Sequence, residues 1–294
     1  MAELVPDVAT LTHALGASGY LTDVGLATAL FCGVRLAQPV LLEGEAGVGK
    51  TEAAKALARL LDTPLVRLQC YEGIDAAEAL YEWNYPRQLL GIRRAEASGD
   101  PLTDADLFSE DYLVERPLLR SIRHLGPRPV VLLIDEVDRA DDEFEAFLFE
   151  LLAEHAVTIP ELGTITAVHP PIVVLTSNRT RDLHDALKRR CLYHWIDYPP
   201  LERAVAIIRS RVPQASGFLA EQVARAVTRL RSLDVQKPPG IAESIGWVGA
   251  LEVLGLRSLA DEGADETLGS VLKYREDVDL ARSRGMAWIA GESA

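Results

Sequence analysis

Residues 42–52 read "LEGEAGVGKTE". Gly44, Gly47 and Gly49 precede Lys50 and Thr51, and the spacing fits G-x-x-x-x-G-K-[ST] in full. Before the loop, "PVLLEG" (39–44) is an apolar run closed by glycine; after it, "TEAAKALARLL" (51–61) is built of good helix formers. The loop therefore lies between a strand and a helix. In that setting the glycines let successive backbone N–H groups turn inward, and the start of the helix adds its positive end, which makes a cradle for phosphate. Lys50 is expected to bridge β- and γ-phosphates, and Thr51 to offer its hydroxyl to Mg²⁺. Glu45, Ala46 and Val48 complete the nucleotide-contacting loop, and Glu52 follows in the helix.

A cradle is shared by kinases, switches and motors, so the carboxylates decide more. "RPVVLLIDE" (128–136) is a strand pattern that ends in Asp135 and Glu136, at the strand end where open α/β sheets bind ligands. Asp135 is suited to the Mg²⁺ shell, and Glu136, pointing the other way, to polarising a water. Asp138, Asp141 and Asp142 read as helix caps and solvated charge. A further strand, "PIVVLTSN" (171–178), ends in Asn178, which is placed either to orient that water or to form a turn. "DALKRRC" (185–191) puts Arg189 and Arg190 at the end of a short helix, where they are either solvated or presented to the γ-phosphate of a neighbouring subunit.

The rest of the chain fits an α/β frame. "PLVRLQ" (64–69) is another buried strand, and Phe144, Phe147, Leu148, Leu151 and Leu152 recur at helical spacing. "VTIPELGTIT" (157–166) reads as a β-hairpin about a Pro-Glu-Leu-Gly turn. After the double proline at 199–200 the apolar spacing is helical: Leu219, Val223, Ala226 and Leu230, then Trp247, Leu251 and Leu254. The expected organisation is a nucleotide-binding domain over 1–198, a smaller helical domain over 199–275 and a polar tail from Glu276 to 294.

Composition narrows the class. At 294 residues and 48% hydrophobic, the chain can bury a substantial core. A net charge of −14 disfavours a dedicated nucleic-acid binder. Cys32, Cys70 and Cys191 lie far apart and outside any CxxC, so they read as buried thiols in a reducing compartment, and His184 and His194 lack metal-ligand spacing. With no secretory leader and no membrane-length apolar run, a cytoplasmic protein is expected.

Taken in order, "GEAGVGKT", "VVLLIDEVDRA", "VVLTSN" and "ALKRRC", with a hairpin before the third, resemble an AAA+ ATPase of the MoxR group. The wording of "YEWNYPRQLL", "LFELLAEHAVTIPELGTI", "TSNRTRDLHDALKRRCLYHWIDYP" and "KPPGIAESI" is similar to the branch found beside carbon monoxide dehydrogenase genes. The likeness covers about 17–255. It implies a parallel sheet flanked by helices with an all-helical lid, and an ATP-driven, Mg²⁺-dependent remodelling chaperone. It also implies a homo-oligomer, usually a hexameric ring, with a von Willebrand factor A domain partner and a client enzyme in which a metal centre matures. Carried over by motif, Lys50 and Thr51 take the phosphate and Mg²⁺ roles, Asp135 and Glu136 the metal and water roles, Asn178 the first sensor and Arg190 the finger, with Arg189 the second choice.

The sequence departs from the pattern in the lid, where many relatives carry an arginine: "KPPGIAESIGW" offers Glu243, with Lys237 the nearest cation. "GYLTD" (19–23) stands where relatives pack a loop against adenine, or is a plain helix-linking turn. Tyr71, Tyr81, Trp83 and Tyr85 crowd the segment after the second strand, as core, subunit interface or client contact. A P-loop kinase is the alternative from another class, but the arginine-rich lid that a kinase needs is missing. A nucleic-acid motor is disfavoured by charge.

Overall fold

The computed structural model describes residues 5–99 and 102–291. In chain order the strands are β1 (Val40–Gly44), β2 (Leu65–Gln69), β3 (Tyr81–Trp83), β4 (Leu113–Glu115), β5 (Val131–Asp135), β6 (Ala156–Ile159), β7 (Gly163–Thr166), β8 (Ile172–Ser177) and β9 (Leu192–Ile196). Among the described residues β1, β2, β5, β8 and β9 form one sheet in the order β2-β5-β8-β1-β9. The β2–β5, β5–β8 and β8–β1 pairs are parallel. Every residue of β5 and β8 is buried, as the unbroken Val/Ile/Leu runs predict for strands covered on both faces.

Register brings the strand ends together. Glu43 pairs with Ser177, Ile134 with Leu175 and Gln69 with Asp135. Parallel strands thus deliver Glu43, Gln69, Asp135 and Ser177 to one edge, the carboxyl edge at which such sheets hold ligands.

The chain separates into two compact units. The first takes Val24–Glu43 and Ala54–His194 together with the N-terminal residues up to Leu11. Its core gathers Leu132 and Ile134 of β5, Val173 and Leu175 of β8, and Phe144, Leu148, Leu151 and Leu152 of the helix Asp142–Glu154. Asp141 caps that helix by accepting from the Phe144 N–H at 2.8 Å, and His155 ends it in the left-handed region at φ 48°. The expected hairpin follows as β6 and β7, paired antiparallel with Ala156 opposite Thr166. Between β2 and β5 the chain makes a second antiparallel pair, β3 and β4, which the sequence does not announce because both strands are three residues long. Trp83 is buried there, edge-on to Phe108 at 5.3 Å, whereas Tyr71 and Tyr85 are exposed, so the aromatic segment splits between core and surface.

The second unit takes Thr12–Asp23, Gly44–Ala53 and the chain from Trp195 onward. Its core is helical: Leu219, Val223, Ala226 and Leu230 line one face of the helix Gly217–Arg231, whose Ser216 cap accepts from the Leu219 N–H at 3.1 Å. Trp247, on the helix Ile241–Val253, is fully buried and donates its Nε1–H to Thr267 Oγ1 at 2.6 Å, which satisfies the one polar atom it takes inside. Leu254 departs from the expected stripe: it caps the helix and is exposed. Where the sequence predicts a polar tail, residues 275–290 instead form the helices Arg275–Arg284 and Met286–Ala290, with Ala281 and Ile289 buried in this core. The first is charge-rich with Ala281 turned inward, and the second, MAWIA, is apolar throughout, which a composition count over the whole segment overlooks. None of the described helices is long and apolar enough to cross a membrane.

Candidate active site

The phosphate loop belongs to the second unit and has the backbone its glycines predict. Gly47 sits at φ +77°, a left-handed conformation that costs a side-chain-bearing residue energy. A Cβ at Gly44 would strike the Ile196 carbonyl, so only glycine lets the strand end pass that close. Lys50 opens the helix Lys50–Leu61, and its Nζ is folded back onto the loop, donating to the Gly44 and Glu45 carbonyls at 2.6 and 2.7 Å. Tyr20, from the "GYLTD" stretch, is buried and donates its hydroxyl to the Gly49 carbonyl at 3.3 Å. Burial, and after it the charges of Asp23 and Glu52, holds its pKa above the ordinary tyrosine value. "GYLTD" therefore carries a residue that buttresses the loop.

The lid position without an arginine also lies here. The N-terminus of the helix Ile241–Val253 rests on the loop: Ile241 and Ala242 donate N–H groups to the Gly47 carbonyl at 3.1 and 3.2 Å. Glu243 Oε2 accepts the Gly240 N–H at 2.9 Å and would touch a Cβ built on Gly47. Glu243 is thus a cap for its own helix, and Lys237 is an exposed surface residue. The guanidinium that sequence reading misses is Arg231: it stacks over the Tyr198 ring at 3.8 Å and donates Nε–H to the Pro239 carbonyl at 2.7 Å. It lies outside the motif, one helix earlier than the position where an arginine is expected.

The acidic edge belongs to the first unit. Asp135 is 3% exposed; its Oδ1 accepts from Thr176 Oγ1 at 2.6 Å, and its Oδ2 accepts from Arg67 Nε and Nη2 at 2.9 and 2.6 Å. Glu136 follows at φ 55°, ψ 50°, left-handed and therefore strained for a non-glycine. Thr176 holds that kink as well, since its Oγ1 accepts the Glu136 N–H at 2.9 Å while donating to Asp135. The Glu136 carboxylate reaches Arg139 at 3.2 Å. One β-branched hydroxyl on β8 thus fixes both acids at the end of β5. A Thr176→Val variant keeps the shape and removes both bonds, so unfolding in urea is expected to lose about 1–3 kcal/mol. An unchanged midpoint and slope would show that neither bond matters.

Asp138, expected as cap or solvated charge, is corrected by its burial at 2%. Its Oδ2 accepts the Asn178 N–H at 3.2 Å, the Thr180 N–H at 2.9 Å and the Thr180 hydroxyl at 2.7 Å. It pins the turn after β8 and with it the backbone of Asn178, which lies just beyond the strand. Glu43, buried at the end of β1, accepts from Ser177 Oγ at 3.2 Å and from Tyr193 Oη at 3.1 Å. Arg189 and Arg190 are both exposed, beyond the short helix Asp185–Lys188. The Arg190 backbone is held at both ends: its N–H meets the Leu187 carbonyl at 3.1 Å, and its own carbonyl accepts from Gln38 Nε2 at 3.0 Å.

All three cysteines are free thiols. Burial pushes Cys70 and Cys191 up to about 12, Cys70 also by the charge of Asp135, so neither is a nucleophile near neutral pH. Cys32, expected to be buried, is only half-buried.

A sequence profile of the AAA domain (dynein-related subfamily) matches residues 39–191. The chain is 24% identical over 203 residues to an uncharacterized protein of Staphylococcus aureus, covering 67% of this chain and 70% of that protein. It is 25% identical over 203 residues to the denitrification regulatory protein NirQ of Stutzerimonas stutzeri, covering 67% of this chain and 64% of that one. Among solved structures it is similar to a putative ATPase of Cytophaga hutchinsonii, at 14% identity and TM-score 0.47, covering 99% and 93% of the two chains. It is also similar to RuvB, the Holliday junction branch migration motor of Thermotoga maritima, at 18% identity and TM-score 0.44, covering 83% of this chain and 65% of that one.

Proposed function

We propose, because this chain belongs to the AAA domain family in its dynein-related subfamily, that it hydrolyses ATP to remodel a partner enzyme, as a member of the MoxR group. The observation that carries the reading is the acidic edge: a buried Asp135 and a kinked, half-exposed Glu136, held by one hydroxyl at the carboxyl end of a central parallel strand. Backbone strain of this kind clusters at functional sites, and at Glu136 it supports the reading. The hairpin β6–β7 directly before β8 supports the MoxR part of the reading.

In this reading the loop Gly44–Glu52 takes the phosphates, with Lys50 turning from its own carbonyls to the β- and γ-oxygens. Hard oxygen donors suit Mg²⁺, so Thr51 and Asp135 would hold it, and the ion would neutralise charge on the phosphates. Glu136 accepts the proton of the attacking water, Asn178 orients that water, and Arg190 serves a neighbouring subunit's site in a hexameric ring of like chains. The partner carries a von Willebrand factor A domain. The client is an enzyme with a metal centre, of the carbon monoxide dehydrogenase kind. The likeness to a denitrification regulatory protein supports an accessory role beside a redox system.

Deletion of this chain from its host tests the client role. The client polypeptide should accumulate at normal levels with its metal content reduced several-fold, and the wild-type chain should restore it while Lys50→Ala does not. Full metal content without the chain would overturn the maturation role and leave the ATPase reading standing. Hydrolysis that begins only when a small acceptor is added would favour a kinase instead.

A further inference from the structure

We propose that Arg67 is a tethered competitor of the metal ion for Asp135, so that the acid accepts a divalent cation only when the guanidinium withdraws. The proposal rests on Asp135 being the metal-binding acid and names the residue that regulates it.

Three observations meet at this pair. First, both Nε and Nη2 of Arg67 converge on a single oxygen, Asp135 Oδ2, at 2.9 and 2.6 Å, while Thr176 takes Oδ1. Second, the exposure is lopsided: the Asp135 side chain is 4% exposed and that of Arg67 is 47% exposed. The acid is fixed in the sheet and the cation reaches it from the solvent side, so the arginine can swing away without opening the core. Third, the guanidinium is shared, because Arg67 Nη2 also meets Gln69 Oε1, two residues along β2, and keeps that partner when it leaves the acid.

A buried carboxylate with no counter-charge is costly, and Arg67 supplies one such charge. The same physics opposes a second cation. Two positive charges on one carboxylate, each within a few ångströms, repel through a medium that screens them less than water does. Metal affinity at Asp135 is therefore the ion's own attraction less the cost of expelling or crowding Arg67. A divalent ion alone is a poor competitor, whereas one carried on nucleotide phosphates brings further ligands to offset that cost. Arg67 acts through Asp135 and is a positioning residue, since nothing places it against the reacting atoms.

Mn²⁺ binding, followed by electron paramagnetic resonance with saturating ADP, separates the possibilities. Arg67→Gln should bind Mn²⁺ about tenfold more tightly than the wild type, the order expected when one close like charge is removed at the sheet edge. Arg67→Lys, which keeps the charge but loses the fork, should fall between the two, and Asp135→Asn should bind more weakly than all of them. If Asp135→Asn binds as the wild type does, Asp135 is not the metal residue and the functional reading is at fault. If Asp135→Asn weakens binding but Arg67→Gln leaves it unchanged or weaker, Arg67 merely staples β2 to β5 and the competition is refuted, whatever happens to the melting temperature. The wild type supplies a readout without any variant: the Arg67 Nε–H resonance should shift and exchange faster with water when Mg²⁺ and ADP are added. A resonance that stays put would equally refute the proposal.

Discussion

Glu136→Gln is expected to bind ATP as tightly as the wild type while turning it over at least about 10²-fold more slowly, the range that loss of a general base brings. The substitution is nearly isosteric. It leaves the Glu136 backbone kink, the Thr176 hydroxyl that holds its N–H and the Asp135 bonds untouched, because none of these involves the Glu136 carboxylate. Only the charge and the basicity go. The carboxylate is half-exposed and tied to Arg139 at 3.2 Å, a surface-type pair worth at most about 1 kcal/mol, so it is readily surrendered to a water that needs a base. Titration with a fluorescent nucleotide and a steady-state phosphate assay separate the two effects. Hydrolysis by the variant at the wild-type rate would remove Glu136 from the mechanism.

The same residue shows where sequence reading ends. That a carboxylate pair closes the central strand is legible, because "VVLLIDE" is a buried β pattern with two charges at its end. That Glu136 lies in the left-handed region is not, since no glycine or asparagine marks the spot and the kink is enforced from another strand by Thr176. Arg67 escaped for a like reason. It alternates out of a β-strand as any exposed residue would, and only the register that pairs Gln69 with Asp135 brings its guanidinium to the acid. Long-range pairing is information that local periodicity does not hold.

The lid shows the converse. "KPPGIAESI" holds no arginine, and the sequence leaves open what stands in the place of one. In the fold, two backbone N–H groups of the Ile241 helix seize the Gly47 carbonyl, and Glu243 serves its own helix. Backbone donors carry no residue signature, so a contact made by them is invisible until the helix is placed. Composition likewise misread residues 275–290, where Ala281 of the charge-rich helix Arg275–Arg284 and Ile289 and Ala290 of the apolar helix Met286–Ala290 reach the core.

Arg190→Ala is the second large effect, with an expected loss of about 10³–10⁵ in turnover and little change in nucleotide affinity, as for arginines that meet only the transition-state charge. The backbone geometry suits a finger, because carbonyl and N–H of Arg190 are both fixed, to Gln38 and Leu187, and the buried Cys191 follows, so the side chain projects from a rigid base. A residue serving its neighbour has a property that no residue serving its own site can imitate. In a ring, Arg190→Ala subunits keep a whole acid pair and Glu136→Gln subunits keep a whole arginine. A mixture of the two dead variants should therefore recover activity, up to about a quarter of the wild type at equal proportions if subunits assort at random around a head-to-tail ring. Recovery must rise and fall with the mixing ratio and vanish when either variant is alone. If no ratio restores turnover, Arg190 does not act across an interface. If Arg189→Ala complements Glu136→Gln where Arg190→Ala fails, the finger is the neighbouring residue, and the rigid base at Arg190 serves only to aim it.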